Sequence, residues 1–168
     1  NIPVKLTLQL DELKSSVGFL EMYKVGRIEQ LNVLDRWVNN NPVNSLSVPI
    51  GIHPDQELFT LDLHEKFHGP HGLIAGMTGS GKSEFIITYI LSMCLNFDPR
   101  EVSFVLIDYK GGGLTGAFEN KITGVKLPHL AGTITNLDTA EIKRSLASIQ
   151  SELKRRQTLF NKAKLELN

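Results

Sequence analysis

At 168 residues, 41% of them hydrophobic and 21% charged, the chain has the length of one globular domain with a small attached subdomain and the composition of a soluble protein. Eighteen basic residues balance eighteen acidic ones, which disfavours nucleic acid as a partner, because nucleic acid selects basic surfaces. The one cysteine, Cys94, excludes an internal disulfide and fits a reducing compartment, and no apolar run approaches the roughly 20 residues that span a bilayer.

The opening Asn1-Ile2-Pro3-Val4-Lys5 has no apolar signal-peptide core, and the missing initiator Met is expected of a piece of a longer protein. Val4, Leu6, Leu8 and Leu10 alternate with Lys5, Thr7 and Gln9, which predicts a half-buried strand. Ile28, Leu31, Leu34 and Val38 share one helical face, and Asn39-Asn40-Asn41-Pro42 ends that pattern. Leu46–Ile52 and Leu58–Leu63 read as two strands of a hairpin around His53-Pro54-Asp55. Residues 1–63 are thus expected to form a lead-in subdomain with a short hairpin.

The rhythm changes after residue 63. Gly72–Ala75 is expected to be a short strand running into a glycine-rich loop, followed by a helix over Ser83–Leu95. Val102–Ile107 is nearly all apolar, as in a strand buried on both faces. Leu130–Ile134 reads as a further strand. A long helix follows from Asp138 to about residue 162, with Asp138 as cap, Glu141 as capping-box partner and an apolar stripe of Ile142, Leu146, Ile149, Leu153 and Phe160. Strand, helix, strand, helix in this order predicts an α/β fold on a parallel sheet with right-handed crossovers.

Gly76-Met77-Thr78-Gly79-Ser80-Gly81-Lys82-Ser83 fits G-x-x-x-x-G-K-[ST], the phosphate-binding P-loop, in full. Its glycines let successive N–H groups turn toward phosphate oxygens. Lys82 brings a positive charge to the β- and γ-phosphates, and Ser83 offers Mg²⁺ a hard oxygen ligand. The start of the following helix points its positive end at the anion. ATP with Mg²⁺ is the expected ligand. A second pattern, His64-Glu65-Lys66-Phe67-His68, satisfies the zinc-protease motif H-E-x-x-H, which requires a continuous helix. Gly69-Pro70 directly after it opposes that helix, so the segment is read as a connection.

Phe104-Val105-Leu106-Ile107-Asp108 has the form of a Walker B strand, with Asp108 a candidate Mg²⁺ ligand. By pattern alone, Asp108 is either that ligand or the end of an inner strand. Cys94 reads as core and Trp37 as a packing anchor. Glu84 is either a contact to the nucleotide site or a first-turn acid favoured by the helix dipole.

Several of these segments occur in one family. Gly72 to Glu84 resembles the first motif of FtsK/SpoIIIE-type ATPases, and Phe104 to Lys110 resembles the family's second strand ending in D-x-K. Leu127-Pro128-His129-Leu130 resembles its P-H-L segment, and Ser151-Glu152-Leu153-Lys154-Arg155-Arg156 its E-x-x-R-R helix. Gly111-Gly112-Gly113 and Glu84 resemble the EssC/EccC type VII secretion branch, as do Phe19–Tyr23 and Leu31–Trp37.

The resemblance implies a RecA-like module whose N-terminal part is residues 64–168, one of several in tandem in a membrane-anchored bacterial ATPase on the cytoplasmic face. It implies neighbouring modules of the same protein, a homo-oligomeric ring, WXG-type secreted proteins and other membrane components of the secretion machine as partners. In this family an Asp-Glu pair on a later strand holds Mg²⁺ and orients water. No such strand follows Asp108, so the sheet is expected to be incomplete here and Asp108 to sit on the second strand. Arg155 and Arg156 read as solvated helix residues, and Lys121–Lys126 as a small insertion. A DNA translocase of the same fold and a non-hydrolysing assembly module are the alternatives.

Overall fold

A computed structural model describes residues 16–108, 113–120, 122–135 and 139–166. The strand expected over Val4–Leu10, the Gly111-Gly112 pair, Lys121 and the Asp138 cap lie outside those residues, as does the side chain of Glu141. The chain forms two compact units, one ending at Ser103 and the other beginning at Phe104.

The first unit opens with the short helix α1 (Phe19–Met22), a 3₁₀ turn (Ile28–Leu31) and helix α2 (Val33–Asn39). The single helix expected over Ile28–Val38 is therefore two elements, broken at Asn32. That residue takes the left-handed conformation at φ 49°, ψ 52°, which asparagine tolerates better than most residues. The break also scatters the predicted apolar face. Leu31 is buried, whereas Ile28, Leu34 and Val38 are 69%, 72% and 84% exposed.

Strands β1 (Ser47–Ile52) and β2 (Leu58–Asp62) pair antiparallel, from Ser47 opposite Asp62 to Ile52 opposite Leu58. The register shifts between Pro49 and Gly51. A bulge there suits proline, which has no N–H for the ladder. The His53 amide donates to Glu57 O at 2.8 Å and closes the hairpin. The long helix of this unit, α3 (Lys82–Asn96), packs against β1 and α2. Val48, Met22, Ile90, Met93, Cys94, Leu95 and Phe97 are buried in the unit's core, each worth about 1.5–3 kcal/mol for the larger side chains. Gly72–Ala75 does not form the expected strand: residues 71–77 have no regular pairing, and Leu73 is 94% exposed. A strand exists only through its ladder, and in this unit β1 and β2 pair with each other.

In the second unit, β3 (Phe104–Ile107) and β4 (Leu130–Ile134) pair parallel, Leu106 opposite Thr133 and Ile107 opposite Ile134. The crossover between them carries a 3₁₀ turn (Thr115–Ala117) and a small loop closed by a Glu119–Lys126 bridge with a 3.2 Å ion pair. Helix α4 (Thr139–Glu166) follows. β3 was expected to be covered on both faces. Instead burial alternates, with Leu106 inside and Val105 and Ile107 about half exposed, the pattern of a sheet with one covered face. The stripe of α4 departs from expectation as well, since Leu146, Leu153 and Phe160 are exposed. A 28-residue helix is about 42 Å long, and strands of four or five residues reach only about 17 Å, so the sheet of this unit cannot cover it.

Candidate functional site: the phosphate loop

Helix α3 begins at Lys82, directly behind the loop, and Gly81 is its N-cap in the left-handed region at φ 88°. Gly79 is left-handed too, at φ 81°. A side chain at either position would strain the backbone by about 1–2 kcal/mol. Gly76 is close-packed in another way: a Cβ there would lie 2.5 Å from Ser80 Oγ, which would have to rotate away. The Ser80 amide donates to Met77 O at 3.2 Å and closes the turn. Residues 76–81 are exposed.

Lys82 folds back over this loop. Its Nζ donates to Gly76 O at 2.6 Å and to Met77 O at 2.5 Å, which holds the ammonium above the loop. The first amides of α3 have no acceptor within the helix, and the helix dipole adds partial positive charge there. Ser83 and Glu84 are exposed in the first turn. The predicted loop residues Gly76, Met77, Thr78, Gly79, Ser80, Gly81, Lys82 and Ser83 therefore form an exposed turn leading into α3, with the Lys82 side chain folded over it. Small residues, the first amides of α3 and one lysine are the groups a phosphate-binding loop requires, and the exposed Ser83 carries a hydroxyl at the start of the helix.

Asp108 belongs to the second unit, at the C-terminal end of β3. Its amide donates to Ile134 O at 2.9 Å, and its Oδ2 accepts from the Leu114 amide at 3.2 Å. On α4, Glu152 is gripped by Arg155, with Nε and Nη2 each 2.7 Å from a carboxylate oxygen, and by Arg156 Nε at 2.8 Å. These hydrogen bonds, Arg155's first, hold the Glu152 carboxyl at about 2.

His64–His68 is a run of turns in place of the helix that a zinc motif requires. His64 Nε2 lies 2.9 Å from Val43 O, and His68 Nδ1 accepts from the Asp62 amide at 3.0 Å. Asp62 itself is buried. It accepts from Ser45 Oγ at 2.6 Å and from the Leu46 and His64 amides at 2.9 Å each.

The other end of α3 carries contacts that the sequence reading passed over. The last carbonyls of a helix have no partner within it. Here Trp37 Nε1 donates to Cys94 O at 3.0 Å and Asn40 Nδ2 to Asn96 O at 2.9 Å. Arg36 Nη1 donates to Asn96 Oδ1 at 3.1 Å while its Nε holds Leu31 O at 2.7 Å. Asn96 Nδ2 donates to the Tyr23 hydroxyl at 3.0 Å, and the Arg36 guanidinium lies 5.1 Å from the centre of the Tyr23 ring. The local signal was the closeness of Arg36, Trp37 and Asn40 in the chain, which gathers three side-chain donors at the C-terminal end of α2. Burial of Cys94 pushes its thiol up to about 12, in keeping with a core residue.

The FtsK/SpoIIIE family profile matches residues 31–166. The type VII secretion system protein EssC of Staphylococcus aureus (strain NCTC 8325 / PS 47) is 52% identical over 148 residues, covering 88% of this chain and 10% of EssC. The ESX secretion system protein YukB of Bacillus subtilis (strain 168) is 48% identical over 153 residues, covering 90% of this chain and 10% of YukB. A solved structure, the cytoplasmic domain of the Thermomonospora curvata type VII secretion ATPase EccC, matches with a TM-score of 0.71 at 31% identity, covering 86% of this chain and 17% of that one. The chain thus spans about a tenth of the length of the curated relatives it matches.

Proposed function

This chain belongs to the FtsK/SpoIIIE family, and from that premise we propose that it is an ATP-binding motor module of a membrane-anchored type VII secretion ATPase, coupling ATP hydrolysis to the export of small helical proteins. The carrying observation is the phosphate loop: every position of the motif is filled, two of its glycines are left-handed, and Lys82 opens α3. The similarity to EssC, YukB and EccC supports the secretion setting.

In the proposed roles, the loop amides and the start of α3 bind the β- and γ-phosphates. Lys82 exchanges its grip on Gly76 O and Met77 O for phosphate oxygens, so its charge is already positioned before binding. Ser83 holds Mg²⁺ through its hydroxyl. When bound, the metal neutralises the charge that develops on the phosphates. Residues up to 63 form the lead-in, and those from 64 the ATPase module proper. The parent works as a homo-oligomeric ring on the cytoplasmic face of a bacterial membrane, with neighbouring modules, WXG-type cargo and the machine's membrane components as partners. Among the described residues no helix is long and apolar enough to cross a membrane.

Titration calorimetry with a non-hydrolysable ATP analogue and Mg²⁺ tests the binding claim. Wild type is expected to bind, and Lys82→Ala to lose about tenfold or more in affinity, since a charge-assisted hydrogen bond contributes about 1.5–3 kcal/mol. Equal affinities for the two would overturn the assignment.

A further inference from the structure

We propose that Arg36, Trp37 and Asn40 are positioning residues for the nucleotide site: they form a clamp on the C-terminal end of α3 and thereby set the loop at its other end. The inference rests on the nucleotide-binding role proposed above and goes beyond it, because no part of the clamp belongs to the phosphate loop.

Three features carry it. First, the clamp acts on the helix terminus itself. Trp37 and Asn40 donate to the backbone carbonyls of Cys94 and Asn96, while Arg36 binds the Asn96 side chain. A cation and two N–H donors at this end complement the negative pole of the dipole, so the clamp and a bound phosphate would act on opposite poles of one helix. Second, the clamp is built in depth. Asn96 is buried, with its side chain spanning Arg36, Tyr23 and Ser92 O, and burial raises the Tyr23 phenol above its ordinary value despite the Asn96 bond and the charge of Arg36. The donors are half-buried around a buried Asn96, and such a part-buried network favours one arrangement, since a lost partner leaves the Asn96 amide desolvated. Third, α3 is continuous over 15 residues from Lys82 to Asn96. It contains no proline or glycine, so it has neither of the common causes of a kink, and it carries a tilt at one end to the other.

The distance makes the test clean. Fifteen residues of helix span about 22 Å, too far for nucleotide at the loop to touch Trp37. Trp37 is also the only tryptophan in the 168 residues, so its emission and its indole N–H resonance report on the clamp alone. Two measurements on the full chain decide the proposal. In the first, a Mg²⁺-loaded non-hydrolysable ATP analogue is titrated into wild type while calorimetry and the Trp37 signals are followed. The expected result is a Trp37 response that saturates with the calorimetric isotherm and is lost in Lys82→Ala. In the second, Trp37→Phe, which keeps a ring but removes the N–H donor, and Asn40→Ala are expected to weaken the analogue by about fivefold, the low end of ordinary coupling between sites. A merely structural role would lower the melting temperature of these variants and leave the affinity of the folded protein unchanged. Binding by wild type with no change at Trp37 and unaltered affinity in both variants would overturn the clamp while leaving the nucleotide site standing. No binding by wild type would overturn the nucleotide reading and the clamp with it.

Discussion

At the scale of single residues, Asp62 shows how a buried charge is tolerated in this chain. Burial alone pushes its carboxyl up, but donors from Ser45, His64 and Leu46 outweigh that and hold it below its usual 3.8. The sign follows from linkage: the folded state binds this proton less readily than the unfolded state, so the contribution is present in full above about pH 3.8 and fades as pH falls through the lower folded value. Asp62→Asn offers an amide to sites where three donors point at oxygen. It should lower unfolding stability by about 2 kcal/mol at pH 7. Urea unfolding at a series of pH values should show the gap between wild type and variant narrowing below pH 4, and a gap constant down to pH 2 would contradict the assignment. The hydrogen bonds to Asp62 explain the His64–His68 segment as well. His68 binds the Asp62 backbone amide and His64 donates its own amide to the Asp62 carboxylate, so the segment that mimics a zinc motif is a wrapping around a buried aspartate. Sequence pattern carried the motif but not the aspartate's partners, because they come from residues 45, 46 and 64.

At the scale of elements, α4 depends on its own side chains more than the other helices do. Most of its described surface is open to solvent, so Glu152 with Arg155 and Arg156, at spacings of three and four, contributes to the helix locally. The carboxyl is held at about 2, against an ordinary 4.5, by hydrogen bonds from Arg155 and then Arg156. A depressed carboxylate supports the folded helix above pH 4.5 and withdraws that support as pH falls toward 2. Far-UV circular dichroism should therefore show a small loss of helix between pH 4.5 and 2 that is missing in Glu152→Gln and blunted in 1 M salt, where screening weakens exposed pairs. A wild-type curve identical to that of the variant would remove this role. Legibility in the sequence followed the same division between local and distant causes. The β1–β2 hairpin, α3 and β4 were readable because alternation, turn residues and apolar spacing are local signals, and the left-handed Gly79 and Gly81 sit where the glycine-rich motif has them. The break at Asn32 was not, since a left-handed asparagine leaves the helical spacing of Ile28, Leu31, Leu34 and Val38 intact in the letters. The open faces of β3 and α4 were not readable either: an apolar pattern states what a surface is suited to bury, not how much neighbour it meets.

For the molecule as a whole, the question is how much of a phosphoryl-transfer machine these residues contain. Hydrolysis requires the phosphates clamped, the metal held and a water oriented. In the proposed roles the loop with Lys82 serves the first task, and Ser83 part of the second. Among the described residues no group of three or more His, Cys, Asp or Glu gathers as a metal site would. Asp108 is the acid with the strongest claim by pattern, but its Oδ2 is engaged by the Leu114 amide, which ties the end of β3 to the following loop and gives the carboxylate a structural task. We therefore expect the 168-residue chain to bind Mg²⁺–ATP while turning it over at less than about 0.1 s⁻¹, below the 1 s⁻¹ floor of typical enzymes. Asp108→Ala should retain nucleotide affinity within about twofold, because a group outside the phosphate grip contributes little to ground-state binding. It should also lower the melting temperature, as the Leu114 amide loses its acceptor. Steady-state phosphate release, measured beside calorimetry on the same samples, separates the two roles of this residue. Slow release by both proteins with binding intact fits a structural Asp108. Fast release by wild type, abolished in Asp108→Ala while binding persists, would make Asp108 the metal-holding carboxylate, because only a group acting in the transition state lowers turnover without lowering affinity.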